Sequence, residues 1–481
     1  MGLRDVEDAF NRYIFDEVPV RMLYLPQMKL LERDALKRLY QPHIDHITEE
    51  DLQDNPLGRS AAIEERIRRQ LSYGILSHRW LSLDSEPSFR DIMGGNTLEG
   101  PGWEKLSKFC EVANKMYGVE LVWSDTCCID KTSSSELDES LRCMFRWYRN
   151  TSICIVYLAE TTSIDGFYND EWFTRGWTLQ ELLAPNTIRF FRKDWAPLTG
   201  YTNDKADHAA NRPIMETIAE VTGISLQDLQ AFVPGPFQVD TRMVWAARRR
   251  TTRSEDVAYS LMGIFDVSIP IAYGEGAQRA FCRLVEAIMQ VSNEPGVLNW
   301  AGKPARIHRL SSAFPSAPVC YFGHPDNVRS LADEKREFSL TNRGLRIQLL
   351  VIPVDLVTPV TPPATSIQDR ATFRCKAFKI SGLTIEGPSF PVLERTGTNR
   401  YAYSFGIINY AMIQGEGKDP ILPKTCIAYL LTRLKGTSSF AKMVLSVCHD
   451  WKKVETKTFV TFDLPQDYTI AKRNLLTTVW I

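Results

Sequence analysis

Four short apolar runs, Tyr73–Ser77, Val119–Ser124, Ile153–Ala159 and Thr187–Arg192, are separated by stretches of helical pattern. This alternation restricts the fold more than any other feature of the chain, because strands alternating with helices make a parallel sheet with right-handed crossovers. Runs that are apolar throughout belong to strands covered on both faces. Between them, Trp103–Tyr117 carries Leu106, Phe109, Ala113 and Met116 on one stripe and stops at Gly118. Ser133-x-x-Glu136 reads as a capping box ahead of Leu137, Leu141, Met144, Phe145 and Tyr148. In open sheets of this kind ligands sit beyond the carboxyl ends of the strands. That rule picks out Ser77-His78-Arg79-Trp80, the stretch from Asp125 to Asp130, Glu160, and the helix after the third strand.

That helix, within Phe173–Leu183 and closed by Pro185, puts Trp177 and Glu181 four residues apart and therefore on one face. An aromatic platform beside a carboxylate suits a flat, cationic or sugar-linked ligand. The bland alternative is a core Trp with a solvated Glu, and spacing alone leaves both open.

By texture the chain divides into an N-terminal strand and helical extension (1–70), the α/β domain (71–200), a helical segment (201–295) and a β-rich domain (300–481). Residues 1–17 read as a helix with Val6, Phe10 and Ile14 inward; Val20–Leu25 is a strand, and residues 27–70 look like an insertion rather than core. Thr252-x-x-Glu255 is a second capping box. The cluster Arg248-Arg249-Arg250 with Arg253 is basic enough for phosphates, but acidic neighbours and the lack of interleaved aromatics argue for a helix end. From Pro304, β-branched and alternating runs are broken by Gly, Pro and Asn: Phe338–Leu340, Leu345–Val351, Thr372–Ile380, Tyr401–Tyr410, Cys426–Leu434, Lys442–His449 and Lys457–Asp463. Thr341-Asn342-Arg343-Gly344 reads as a hairpin turn and Val357–Thr365 as a Pro-rich loop. An all-β, sandwich-like domain is expected.

Composition excludes several classes. With 57 basic and 58 acidic residues the net charge is −1, which offers nothing to nucleic acid or an anionic membrane. The longest apolar runs fall short of the roughly 18 residues needed to span a bilayer. The acidic, amphipathic start is not a signal peptide. Reduced thiols and a cytoplasmic location are therefore expected. Ten cysteines show no C-x-x-C pair and no grouping with His, so no metal framework is read. Cys127 and Cys128 read as buried small hydrophobes, with a thiol–imidazole pair to His78 as the reactive alternative. No Gly-rich phosphate loop, H-E-x-x-H or G-x-S-x-G occurs.

Four segments carry a family resemblance: Tyr-Gly-Ile-Leu-Ser-His-Arg-Trp (73–80), Val-Trp-Ser-Asp-Thr-Cys-Cys-Ile-Asp-Lys (122–131), Met-Phe-Arg-Trp-Tyr-Arg (144–149) and Trp-Phe-Thr-Arg-Gly-Trp-Thr-Leu-Gln-Glu (172–181). In this order they resemble the fungal heterokaryon incompatibility (HET) domain. Residues 245–276 and Phe338-Ser-Leu-Thr-Asn-Arg-Gly-Leu are similar to the segments downstream of that domain in relatives. Leu81 and Ser124 depart from the usual Gly and Val. The resemblance implies a trigger of regulated cell death in non-self recognition. It extends distantly to TIR domains, whose helix carries Trp-x-x-x-Glu as Trp177 to Glu181 does here.

By that route the implied fold is α/β: a TIR-like parallel sheet flanked by helices, then a helical segment and a C-terminal all-β domain. The implied activity is cleavage of the nicotinamide–ribose bond of NAD or a related nucleotide, with NAD as substrate and no cofactor. Glu181 would be catalytic. Ser77, His78, Arg79, Trp80, Asp125, Asp130, Arg175 and Trp177 would bind substrate, Arg79 or Arg175 meeting the phosphates. The alternative is a non-enzymatic scaffold in which Glu181 merely caps or pairs with Arg175. Self-association and an incompatibility or sensor partner are expected, nucleic acid and membrane are not.

Overall fold

In the computed structural model, residues 2–52, 56–82, 85–95, 99–307, 312–325, 337–342, 344–357, 370–387, 401–412, 419–434, 451–464 and 473–481 are described. The chain forms two compact units that interleave in sequence. One comprises Met1–Gly235, Arg249–Thr252 and Tyr259–Ile271; the other comprises Pro236–Arg248, Arg253–Ala258 and Ala272–Ile481.

The first unit is built on a six-stranded sheet in the order β2-β1-β4-β3-β5-β6. Its strands are β1 (Arg21–Tyr24), β2 (Lys29–Glu32), β3 (Tyr73–His78), β4 (Leu121–Trp123), β5 (Ile153–Tyr157) and β6 (Ile188–Phe191). The last four are the expected runs, and their ladders are parallel. Every residue of β3 and β6 is buried, as strands covered on both faces require. β1 and β2 extend the sheet by an antiparallel hairpin.

Residues 27–70 are thus part of the core rather than an insertion. The helices α2 (Arg33–Asp45) and α3 (Arg59–Gln70) bury Leu36, Tyr40, Ile44, Ile63 and Ile67. Their many charges mask a single apolar stripe on each. α1 (Gly2–Arg12) turns Val6 and Phe10 inward.

The longer crossover helices are α5 (Pro101–Tyr117) and α6 (Ser134–Asn150), with the one-turn α4 (Phe89–Met93) before them. Gly118 ends α5 in the left-handed region at φ 65°. Ser133 caps α6 by accepting from Glu136 N, but the box is only half made. The Glu136 carboxylate accepts from Asp130 N and from Arg21 instead. Trp147 and Tyr148 of α6 pack edge-on to Trp123 of β4 at 5.7 and 6.1 Å.

In the second unit, nine strands join one antiparallel sheet among the described residues. They are β7 (Phe338–Thr341), β8 (Gly344–Leu356), β9 (Arg370–Cys375), β10 (Ile380–Glu386), β11 (Tyr401–Ile407), β14 (Thr425–Leu434), β15 (Lys452–Lys453), β16 (Val460–Asp463) and β17 (Leu476–Trp480). A small pair, β12 (Ala411–Met412) and β13 (Pro420–Ile421), stands apart.

The 13-residue β8 serves as a common spine of this antiparallel sheet. It pairs with β7, β9, β11 and β17 along its length. The run Thr372–Ile380 is broken: β9 ends at Cys375, and Lys379 takes φ 54° to start β10. No Gly, Pro or Asn marks that turn. The second capping box does not form, since Glu255 accepts from Gly274 N and Gly276 N. Lys442–His449, Arg343 and residues 358–365 lie outside the described residues.

Candidate functional site

The site begins where β3 ends. Consecutive strand residues face opposite ways, so Ser77 and His78 serve two different faces of the sheet. On the first face, Ser77 Oγ donates to Glu181 Oε2 at 2.5 Å and accepts from Trp172 Nε1 at 2.8 Å. Trp172 stands edge-on to Phe190 of β6, which continues that face. Glu181 lies on α7 (Thr178–Leu183), a helix of six residues, all of them buried. Leu179, Leu182 and Leu183 do point inward, but so do Thr178, Gln180 and Glu181 itself, at 7% exposure. The solvated-Glu reading is therefore overturned.

Among the described residues Glu181 has no salt-bridge partner. Burial drives its carboxyl up to about 7. The Ser77 hydrogen bond works against that rise, and the Asp125 charge adds to it. The Tyr148 hydroxyl, which donates to Leu76 O, also lies against the carboxyl.

On the second face, His78 Nε2 meets Asp125 Oδ1 at 3.0 Å, and Trp80 Nε1 donates to Asp125 Oδ2 at 2.9 Å. Burial and the nearby Lys105 ammonium lower the His78 pKa, so its imidazole is neutral. With the proton on Nε2 facing Asp125, Nδ1 is left buried without a partner. Burial, the largest single influence, opposes the charge on Asp125, but the hydrogen bond from His78 together with the charges of Lys131 and Arg175 outweighs it and keeps the carboxylate ionised.

The imidazole is therefore engaged by Asp125 and not by Cys127 or Cys128. Both cysteines are buried, their sulfurs 3.9 Å apart. Lys131 stands 4.0 Å over the Trp80 ring. Behind the loop, Lys105 and Glu86 form a buried ion pair at 2.5 Å, and Glu86 also accepts from Leu81 N.

The remaining expected residues fall differently. Arg79 is held by Glu160 at 2.8 Å and Glu171 at 2.9 Å. Asp130 accepts from Thr132 N and Oγ1, closing its own turn. Trp177 is half-buried at the N-cap of α7, where its carbonyl accepts from Glu181 N at 3.4 Å. Arg175 is half-buried and makes no ion pair among the described residues, and its charge acts on both Glu181 and Asp125.

Sequence reasoning missed three contributors. Trp172 lies in the quoted 172–181 segment but in a short 3-10 turn (Glu171–Thr174), outside the helical periodicity. Tyr148 lies on the apolar stripe of α6 with no polar mark. Arg249 donates to Arg175 O at 2.9 Å and Thr178 Oγ1 at 3.0 Å, tying the entry of α7. Its strand-like segment pairs with 174–176 through Gly176 N to Arg250 O and Arg250 N to Thr174 O. Gly176 permits this approach, since a Cβ there would sit 2.4 Å from Thr251 Cγ2.

Two cavities stand out among the described residues. One of about 700 Å3 is lined by Phe338, Arg346 and Tyr410, and one of about 390 Å3 by His208, Arg212 and Met215. Neither touches Glu181. No helix among the described residues is long and apolar enough to cross a membrane.

Set beside known proteins, residues 73–169 match the family "Heterokaryon incompatibility protein (HET)". The chain is 41% identical over 227 residues to vegetative incompatibility protein HET-E-1 of Podospora anserina, which takes in 45% of this chain and 16% of that protein. The chain thus spans about a sixth of the length of this relative. No solved structure matches significantly.

Proposed function

Since residues 73–169 form a HET domain, we propose that the chain is a heterokaryon-incompatibility-type trigger of regulated cell death, and that its α/β unit cleaves NAD or a related nucleotide at the nicotinamide–ribose bond. One observation carries this reading. A carboxyl of pKa about 7, aligned by a serine, is buried at the carboxyl end of a parallel sheet. Cleavage of such a bond leaves the electron pair on nicotinamide and a cation on the ribose, to which water adds with loss of a proton. An ionised Glu181 in a dry setting stabilises that cation far more than it would in water. In this reading Arg175, without an ion pair among the described residues and with its charge acting on both carboxylates, would meet a phosphate. Arg79 is already occupied by two carboxylates. The TIR-like character of the sheet belongs to the same proposal.

A second reading comes from the 7% exposure of Glu181, which leaves little of its carboxyl open to a ligand. In that reading the domain is a scaffold that self-associates or docks on a partner, and the Ser77–Glu181 pair only holds α7 on the sheet. Incubating the purified protein with NAD at high and low protein concentration, and measuring free nicotinamide, separates the two. Release that rises steeply with concentration and vanishes in Glu181→Gln supports the enzyme. No release at either concentration leaves the scaffold.

A further inference from the structure

Trp195 holds a backbone conformation that bulky residues avoid. β6 runs into a tight turn in which Trp195 N donates to Arg192 O and Arg192 N donates to Ala196 O, bringing Pro197 back beside Phe191. The last position of this turn is left-handed, with Trp195 at φ 62°. Glycine or asparagine usually takes such a position, and a bulky side chain there is an outlier. The indole lies flat on Tyr157, ring centroids 4.5 Å apart and planes within 16°. Tyr157 in turn is fixed by its hydroxyl, which donates to Lys193 O. Both rings are only half-buried. The indole also approaches the Phe191 ring, centroids 6.1 Å apart.

The register places this stack. His78, Tyr157 and Phe191 are partners across β3, β5 and β6 and so present the same face, the one that carries Asp125. The Ser77–Glu181 pair serves the opposite face. We propose that Trp195, backed by Tyr157, is a stacking shelf for the purine base of an adenine nucleotide. This rests on reading the α/β unit as a nucleotide-binding domain, though not on its cleaving anything.

The test is equilibrium binding of AMP and of nicotinamide mononucleotide to the full chain by calorimetry. It compares wild type with Trp195→Gly, Trp195→Leu and Trp195→Phe. Stacking of a base on an aromatic ring leads us to expect AMP binding weakened at least about tenfold in the Gly and Leu variants and kept within about threefold in the Phe variant. Nicotinamide mononucleotide binding should stay unchanged in all three. Glycine is at home at φ 62°, so that variant should fold; leucine still packs on Tyr157 but cannot stack. AMP bound equally by wild type and the Leu variant, or not bound by wild type at all, would overturn the shelf. Wild type that binds AMP through Trp195 yet releases no nicotinamide would keep the shelf and remove only the hydrolase.

Discussion

The hydroxyl of Ser77 links Trp172 to Glu181: it takes a hydrogen bond from the indole and donates its own proton to a carboxylate 104 residues away. Because the indole can only donate, Ser77 Oγ accepts from Trp172 and keeps its own proton for Glu181 whenever that carboxyl is ionised. The pair therefore favours the ionised carboxylate while burial disfavours it, and burial wins.

That balance makes stability depend on pH. The folded-state pKa of Glu181 is about 7, above the ordinary value of 4.5. Its contribution is therefore fully present below pH 4.5 and is lost as pH rises through 7. The cost at high pH is about 3 kcal/mol. Glu181→Gln removes that buried charge. Thermal unfolding should show the variant melting above wild type at about pH 8.5 and level with it at about pH 5. An equal gap at both values would mean that the carboxyl titrates normally.

Activity should run the other way. If the ionised carboxylate stabilises a ribosyl cation, nicotinamide release should climb through pH 7 and level off above it. Removing such a charge is expected to lower the rate by about 100-fold or more. Release measured from about pH 5.5 to about pH 8.5 gives both numbers. A profile that is flat across this range in wild type would exclude Glu181 as the group that must be ionised.

Ser77→Ala separates alignment from charge. It strips Glu181 of its donor and leaves the Trp172 N–H buried without an acceptor, at a cost of about 1–3 kcal/mol. The carboxyl pKa should rise further, since the Ser77 bond is the strongest of the influences that hold it down. The midpoint of the pH dependence should therefore move upward in the variant. A midpoint that stays put would mean another donor has replaced the serine.

Gly176→Ala should detach the 249–252 segment from the entry of α7, because the new methyl would meet Thr251 Cγ2. Overpacking of this kind costs about 1–3 kcal/mol. Thr251→Ser deletes the opposing methyl, so the double variant should recover most of the loss in denaturant unfolding. Additive losses in the double variant would place the strain elsewhere.

The sheet was legible because β3, β4, β5 and β6 are short, apolar and spaced by helices, and physics leaves few other ways to bury them. Ser77 and Glu181 were legible as strand-end and helix residues, yet their contact was not. Neither spacing nor periodicity reports a hydrogen bond across 104 residues. Trp177 stands out through its i+4 relation to Glu181, whereas Trp172, which reaches Ser77, sits in a turn with no period to mark it. The β1–β2 hairpin was hidden because its second strand is partly exposed and carries charges at both ends. The turn before β10 was hidden because a lysine occupies its left-handed position.

The Gly176–Thr251 contact also bears on how such chains can be recombined. The family match ends at residue 169, but Ser77 finds its carboxylate at 181 and α7 finds its tether at Arg249. A genetic crossover anywhere from 78 to 248 would join a serine, a carboxylate and a tether that had been selected in different chains. The heritable module is therefore longer than its most recognisable stretch, and chimeras cut at that stretch's edge should inherit the motif without the site.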